Sequence, residues 1–168
     1  MYTRREADYI CDRLKPFSSI MMIGLGNNDV PLIDICSSAI KADIYIINNP
    51  LYGNWDDWVG ETIKLIEDAG GRRPIPIKKS ARDFSMSFHE QIDALVLTGA
   101  YHDFTLALML WIIHVKNNGD IFIFDYKCSP FVTEFIDRIV QNNSNNFIKE
   151  YETANMVHFS IKKWRNDE

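Results

Sequence analysis

The segment from Ser19 to Asp29 combines residue types that can bind a nucleotide-like ligand. Four apolar residues, Ile20 to Ile23, predict a buried strand, and Gly24-Leu25-Gly26 predicts a tight turn directly after it. Asn28 and Asp29 are good capping residues, so we expect a helix to begin there. Glycines let the backbone approach a ligand closely, and a helix start offers unpaired N–H groups. The segment therefore predicts a ligand cradle, and the alternative is a tight turn that binds nothing.

Three side chains further along the chain could support acid–base chemistry. His102 and Asp103 follow an apolar segment, 92–97, and Asp125 follows another, 120–124. Reacting groups in open α/β sheets lie beyond the carboxyl ends of the strands. Histidine can accept a proton near neutral pH, and Asp125 could orient it or bind a metal. The alternative is that Asp103 caps the next helix and His102 faces solvent.

Composition restricts the classes of protein that these residues can serve. The 168 residues suffice for one domain with a full core, and 46% hydrophobic and 24% charged residues are ordinary globular values. A net charge of −5 argues against a protein built mainly to grip nucleic acid. Three scattered cysteines and an N-terminus without a signal peptide favour a cytoplasmic protein. The longest apolar run, 106–113, is shorter than the ~18–20 residues of a membrane span.

Hydrophobic periodicity predicts strands that alternate with helices and then a terminal hairpin. Alternation of this kind indicates a parallel sheet covered on both faces. A dinucleotide dehydrogenase half would continue with another parallel strand, so the hairpin discriminates between the two. The predicted helices cover 4–15, 29–41, 56–69, 80–90, 103–117 and 131–140, and the predicted strands cover 19–24, 43–47, 74–78, 92–97, 120–124, 147–151 and 156–161.

The predicted helix at 103–117 is apolar on almost every side. A helix of this kind is buried on more than one side. One face must cover the sheet, and the other would meet either the leading helix at 4–15 or a second subunit. A homo-oligomer is therefore one of two alternatives.

Five strand–helix units closed by an antiparallel hairpin resemble the class I S-adenosylmethionine-dependent methyltransferases over residues 19–163. The resemblance implies an α/β, Rossmann-like, doubly wound sheet of seven strands in the order 3-2-1-4-5-7-6. Strand 7 would be antiparallel, helices would lie on both faces, and residues 1–168 would form a single methyltransferase-like domain with 1–16 as its leading helix. The family's first motif is an acidic residue, any residue and then Gly-x-Gly-x-Gly. Met22 stands here at the acidic position and Asn28 at the third glycine.

The second half is similar to a sub-group of small-molecule enzymes that includes cephalosporin-hydroxylase-like proteins. That pattern is Ile-Asp-x-x-x-x-Asp-Gly-x-His-x-Tyr, and residues 92–104 read Ile-Asp-Ala-Leu-Val-Leu-Thr-Gly-Ala-Tyr-His-Asp-Phe. Asp125-Tyr126 matches the Asp-Tyr that ends the sub-group's fifth strand. Thr98 stands at the position that is often an acidic metal ligand, so no metal is expected.

The resemblance implies methyl transfer from S-adenosylmethionine to an oxygen or nitrogen of a small-molecule substrate, with no membrane partner. The family also ends its second strand with an acidic residue, and Asn48 stands at that position here. The alternative is a catalytically inactive, methyltransferase-like binding or structural module, which the loss of both acidic residues, at Met22 and Asn48, favours. A nicotinamide enzyme would need a third glycine and an acidic residue about 20 positions on. Neither is present, since the second strand ends at Asn48.

The candidate site divides into three groups. Catalysis is assigned to His102, Asp103 and Asp125. The implied cofactor-binding residues are Gly24, Leu25, Gly26, Asn27, Asn28, Asn48, Asn49, Ser80, Ala81, Thr98 and Gly99. The implied substrate-binding residues are Tyr52, Trp55, Tyr101 and Tyr126. For Ser80 the alternative is a helix cap closed by Asp83, and for Tyr52 and Trp55 it is packing on the core.

Overall fold

Seven strands form one sheet in the computed structural model, which describes residues 2–24, 29–47 and 54–162. The sheet order is β3-β2-β1-β4-β5-β7-β6. Only β7 runs antiparallel to its neighbours β5 and β6, and the other pairs are parallel. The predicted sheet is therefore confirmed. The strands are β1 (Ser19–Ile23), β2 (Asp43–Ile47), β3 (Ile75–Pro76), β4 (Ile92–Thr98), β5 (Val115–Phe124), β6 (Phe147–Glu152) and β7 (Met156–Ile161).

Helices cover both faces of the sheet, and each face has its own apolar core. The helices are α1 (Arg4–Leu14), α2 (Asp29–Ser38), α3 (Trp55–Asp68), α4 (Ala81–Ser87), α5 (Phe104–Trp111) and α6 (Pro130–Asn142). The first three pack on one face, where Ile10, Met22 and Ile35 are buried together. The last three pack on the other face, around Leu95, Leu108 and Ile136. Alternate strand residues supply the two cores because successive side chains point to opposite faces.

Local sequence signals explain where several helices begin. The side chain of Asn54 caps α3, and Ser129 caps α6 by accepting a hydrogen bond from the N–H of Val132 at 3.2 Å. Pro130 occupies the first turn of α6, where its missing N–H costs nothing. These caps place the helix starts at the same edge of the sheet as the carboxyl ends of β2 and β5.

The predicted helix at 103–117 and the predicted strand at 120–124 have different limits in the structure. Helix α5 ends at Trp111, a short 3₁₀ turn follows, and β5 already begins at Val115. The strand accommodates a shift in its register with β4 because Asn118 adopts a left-handed conformation (φ 62°). Gly119 is required beside it, since a Cβ there would lie 2.8 Å from the carbonyl oxygen of Asp93. Apolar periodicity continues through this boundary, so the pattern could not locate it.

One face of α5 is exposed. Leu106 and Met109 are 42% and 55% exposed, and Ile113 in the 3₁₀ turn that follows is 67% exposed, while Leu108 is buried against the sheet. The leading helix α1 lies on the opposite face of the sheet, where Ile10 packs with Met22. The expectation that α1 covers this face of α5 is therefore wrong, and a second subunit stays a prediction. In the described part of the chain, no helix is both long and apolar enough to cross a membrane.

Candidate functional site

The candidate site lies at the carboxyl edge of the sheet, where β1, β4 and β5 end side by side. Strand β1 pairs with β2 on one side and with β4 on the other. The helices that follow β1 and β4, α2 and α5, pack on opposite faces of the sheet. In open α/β sheets, a ligand-binding crevice lies where the connections change face in this way. Gly24 follows β1, Thr98 and Gly99 end β4, and Asp125 follows β5.

At Gly24 both the backbone conformation and the close neighbours disfavour any residue with a Cβ. Its φ is +81°, and its N–H donates to the carbonyl oxygen of Ile47 at 2.9 Å. A Cβ at this position would lie 2.8 Å from both Thr98 Cγ2 and Tyr101 Cβ. The backbone here is therefore close to its neighbours in a way that only glycine permits. The atoms that a Cβ would meet belong to the chain itself, and the ligand cradle stays a prediction.

Tyr101 forms a wall between the ends of β1 and β4 and the start of α4. Its side chain is 7% exposed and belongs to the core around Leu95. Burial raises the pKa of Tyr101, and the negative charge of Asp103 raises it further. A hydrogen bond from the backbone N–H of Ala81 lowers it in part. The carbonyl of Ala81 accepts a hydrogen bond from Trp111 Nε1 at 3.0 Å. Ala81 is thus held by two aromatic side chains, and the assignment of Tyr101 to substrate binding stays a prediction.

Thr98 and Asp125 join the ends of β4 and β5. Thr98 Oγ1 donates to Asp125 Oδ2 at 3.2 Å and accepts from the N–H of Ala100 at 3.3 Å. Asp125 has a left-handed backbone (φ 50°). A Cβ on Gly99 would lie 2.6 Å from the carbonyl oxygen of Asp125, so the two turns are in close contact. The carboxylate of Asp125 therefore lies beside Thr98.

His102 has a different carboxylate next to it. Its Nε2 lies 3.1 Å from Asp103 Oδ2, and the two side chains are 34% and 55% exposed. Asp103 occupies the N-cap position of α5 but makes no capping hydrogen bond. The alternative, in which the Asp103 side chain caps the helix, is therefore not what the structure shows, since the carboxylate lies beside the imidazole. The structure brings His102 and Asp103 together as a pair.

Two further predicted residues lie at the β2–β3 side of this edge. Ser80 accepts a hydrogen bond from the N–H of Asp83 at 3.0 Å, which confirms it as the cap of α4. Trp55 is half-buried at the start of α3, and Lys78 Nζ lies 5.2 Å from the centroid of its ring. Trp55 Nε1 is buried and has no hydrogen-bond partner among the described residues. Contact of these residues with a ligand stays a prediction.

Tyr126 lies on the other side, against the terminal hairpin. It is buried, and its hydroxyl donates to Glu152. Glu152 is also within 2.6 Å of Lys149 Nζ and 3.3 Å of Lys127 Nζ. The ion pair with Lys149, followed by the Tyr126 hydrogen bond, lowers the pKa of Glu152 to about 2. The hydroxyl of Tyr126 is thus already engaged within the chain.

Seven predicted site residues lie outside the described residues and stay predictions. They are Leu25, Gly26, Asn27, Asn28, Asn48, Asn49 and Tyr52. Within the described ranges, no three histidine, cysteine or acidic side chains are grouped so that they could hold a metal ion. Met22 is 1% exposed in the core, so its side chain cannot contact a ligand at the sheet edge.

Sequence reasoning missed the contribution of the leading helix to this edge. Glu6 of α1 is buried and accepts hydrogen bonds from Thr153 and Asn155, in the turn between β6 and β7. The spacing of Thr3 and Glu6 is that of a capping box, and this box is present. The signal therefore existed, but it predicts only a helix start and not a contact some 150 positions away in sequence.

Comparison with known proteins identifies the fold. No protein-family model matches the chain, and no curated protein matches it. Solved structures do match. A Staphylococcus aureus chain assigned as a caffeoyl-CoA O-methyltransferase has a TM-score of 0.74 at 11% identity, over 97% of this chain and 85% of that one. An rRNA methylase from Streptococcus thermophilus has a TM-score of 0.63 at 15% identity, over 97% and 99%.

A third structure carries a bound ligand. It is a chain from Streptococcus mutans, assigned as a methyltransferase and crystallised in complex with S-adenosylhomocysteine. Its TM-score is 0.62 at 15% identity, over 96% of this chain and 99% of that one. Together with the strand order, these likenesses show that the chain has the Rossmann-like fold of class I S-adenosylmethionine-dependent methyltransferases. At such low identities they show the fold alone.

Proposed function

We propose that the chain is an S-adenosylmethionine-dependent methyltransferase that acts on an oxygen or nitrogen atom of a small molecule. The observation that carries the proposal is the Gly24 turn, whose left-handed backbone lies at the crevice between β1 and β4. The bound S-adenosylhomocysteine and the assigned names of the similar structures support it.

The residues at the described part of this edge fit such a cofactor. Gly24 and Gly99 place no side chain at the ends of β1 and β4, and the side chain of Thr98 is small. We assign the remaining contacts to the loop 25–28, to Asn48 and Asn49 beside the ribose, and to Ser80 and Ala81 beside the adenine. The cofactor, when bound, supplies an electrophilic methyl group on a sulfonium.

The chain's own residues align the acceptor and remove its proton. Alignment alone can lower much of the barrier to a displacement. His102 is the proposed base, because it is partly exposed and its Nε2 lies 3.1 Å from Asp103. When Nε2 donates to that carboxylate, the neutral imidazole keeps Nδ1 as its proton acceptor. Asp103 then orients the ring and stabilises the protonated imidazole.

A small acceptor suits the shape and charge of the chain. Apart from the sheet and its connecting helices, the described residues add only α1. The net charge of −5 disfavours an RNA acceptor, because nucleic-acid binding depends on cationic contacts to phosphates. One structure of similar fold is an rRNA methylase, so RNA should be tested as an acceptor and excluded by experiment.

Calorimetric titration with S-adenosylhomocysteine tests the proposal. We expect the wild-type chain to bind, and Gly24→Ala to bind at least tenfold more weakly. Gly60→Ala is the matched control, because a Cβ there meets nothing within 4 Å. Circular dichroism would establish that each variant is folded. Absence of binding at millimolar ligand would refute the proposal.

The second candidate function is a methyltransferase-like module that does not catalyse. Met22 favours it, since a buried apolar side chain stands where the resembling family has an acidic residue. This alternative predicts no heat with either S-adenosylmethionine or S-adenosylhomocysteine. Binding without methyl transfer to any of a panel of hydroxyl and amine acceptors would separate a cofactor-binding module from an enzyme.

A further inference from the structure

Glu6 is a buried carboxylate that connects α1 to the terminal hairpin. It is 1% exposed although it belongs to the first turn of a surface helix. One carboxylate oxygen accepts from the backbone N–H and the hydroxyl of Thr3, at 2.7 and 2.8 Å. The other accepts from the hydroxyl of Thr153 and from Asn155 Nδ2, the latter at 3.3 Å. Burial raises the pKa of Glu6, but these hydrogen bonds together hold it below its ordinary value.

The Thr153 hydroxyl binds both Glu6 and the backbone of the hairpin turn. A hydroxyl has one proton to donate and two lone pairs that can accept. With its proton directed to Glu6, Thr153 Oγ1 accepts from the backbone N–H groups of Asn155 and Met156, both at 3.1 Å. The carboxylate thus orients a side chain whose oxygen binds two backbone N–H groups of the turn between β6 and β7.

The hairpin turn also binds the backbone of Asp125. The carbonyl oxygen of Asn155 accepts a hydrogen bond from the N–H of Asp125 at 2.6 Å. Asp125 has a φ of +50°, a conformation that is unfavourable for a residue with a Cβ. The carboxylate placed by this backbone accepts from Thr98 Oγ1. Hydrogen bonds therefore connect α1 to the end of β4 through Thr153, Asn155 and Asp125.

We propose that Glu6 is a positioning residue for Asp125, acting through Thr153 and Asn155 on the backbone that directs the Asp125 carboxylate toward Thr98. The inference rests on the proposed function and adds that Asp125, which follows β5 at the carboxyl edge of the sheet, belongs to the active site. Helix α1 is then part of the site's framework, although it contributes no residue to the crevice itself.

Amide hydrogen exchange tests the positioning role. Glu6→Ala and Thr153→Val should accelerate exchange at the Asp125 amide by about tenfold or more relative to the β4 amide of Leu95. Glu6→Gln and Thr153→Ser keep an acceptor and a hydroxyl at these places, so they should retain wild-type protection. Using Leu95 as the reference removes any general loss of stability, which would accelerate both amides. Unchanged relative exchange at Asp125 in Glu6→Ala and Thr153→Val would overturn the inference.

Kinetics and binding distinguish this inference from the proposed function. Glu6→Ala should lower kcat at least fivefold while it leaves the affinity for S-adenosylhomocysteine within about twofold, because β4 and β5 separate Gly24 from the hairpin turn that Glu6 contacts. Asp12→Ala is the matched control, since Asp12 is an exposed acid of the same helix. An equal loss of affinity and kcat in Glu6→Ala would contradict a positioning role. If the wild-type chain binds no cofactor, the proposed function fails while the exchange data still decide on Glu6.

Discussion

Replacement of Gly24 by alanine tests the geometry of the cradle most directly. The substitution has two costs. A side chain in the left-handed conformation costs about 1–2 kcal/mol, and a Cβ at 2.8 Å from Thr98 and Tyr101 must displace packed atoms at about 1–3 kcal/mol. We therefore expect Gly24→Ala to lower the free energy of unfolding by about 2–5 kcal/mol.

Two other glycines separate these costs. Gly70 has a φ of +74° and open space around it, so Gly70→Ala should show the conformational cost alone, about 1–2 kcal/mol. Gly60 lies inside α3 with ordinary helical geometry and no neighbour within 4 Å, so Gly60→Ala should stabilise the chain by about 0.5–1 kcal/mol. The difference between Gly24→Ala and Gly70→Ala measures the steric contact with Tyr101 and Thr98.

Urea denaturation followed by circular dichroism provides the measurement, with the slope of the transition compared between variants. Equal slopes would establish that the three alanines change stability and not the compactness of the unfolded chain. If Gly24→Ala lost no more free energy than Gly70→Ala, the close approach of β1 to Tyr101 would be refuted.

Two further predictions concern the core. Burial raises the pKa of Asp120, but the hydrogen bonds from His158 and Arg13 lower it by more. The pKa of this carboxyl therefore lies below its ordinary value. The stability it contributes is therefore complete above about pH 4 and is lost as the pH falls through the folded pKa. Asp120→Asn should lower the free energy of unfolding by about 1.5–3 kcal/mol at pH 7. It should also make the free energy of unfolding fall less steeply as the pH is lowered below about 4. An unchanged pH dependence in urea titrations between about pH 2 and pH 4 would contradict this. Leu108→Ala should lower the free energy of unfolding by about 2–5 kcal/mol in thermal unfolding, because Leu108 is buried. Met109→Ala, on the exposed face of α5, should change it by no more than about 0.5 kcal/mol. Similar losses for both variants would contradict the orientation of α5.

The limits of sequence reasoning are clearest where α5 meets β5. The apolar run 106–113 and the buried Val115 fit one continuous helix, so periodicity extended that helix to 117. The structure ends it at Trp111 because β4 offers backbone partners to residues from 115 onward. Hydrogen bonding to a strand some 20 positions earlier is a tertiary contact, and no local pattern reports it.

The pairing of candidate catalytic residues shows the same limit. Position at a strand end predicted correctly that Thr98 and Asp125 lie at one edge of the sheet. It could not predict that Asp125 binds Thr98 or that Asp103 turns to His102 instead of capping α5. Side-chain direction depends on backbone torsions such as the φ of +50° at Asp125, and those torsions are set by neighbours distant in sequence.

The sequence by itself determined the class of fold and the edge of the sheet at which the candidate site lies. Periods of two and of 3.6 residues depend only on which side chains must be buried, and the short link at 152–155 leaves the last two strands no choice but a hairpin. The tertiary structure alone decided that α1 holds Glu6 against that hairpin, that Tyr101 closes on Gly24, and that one face of α5 stays exposed. These contacts join segments that are far apart in the chain, and their geometry exists only once the sheet has brought the segments together.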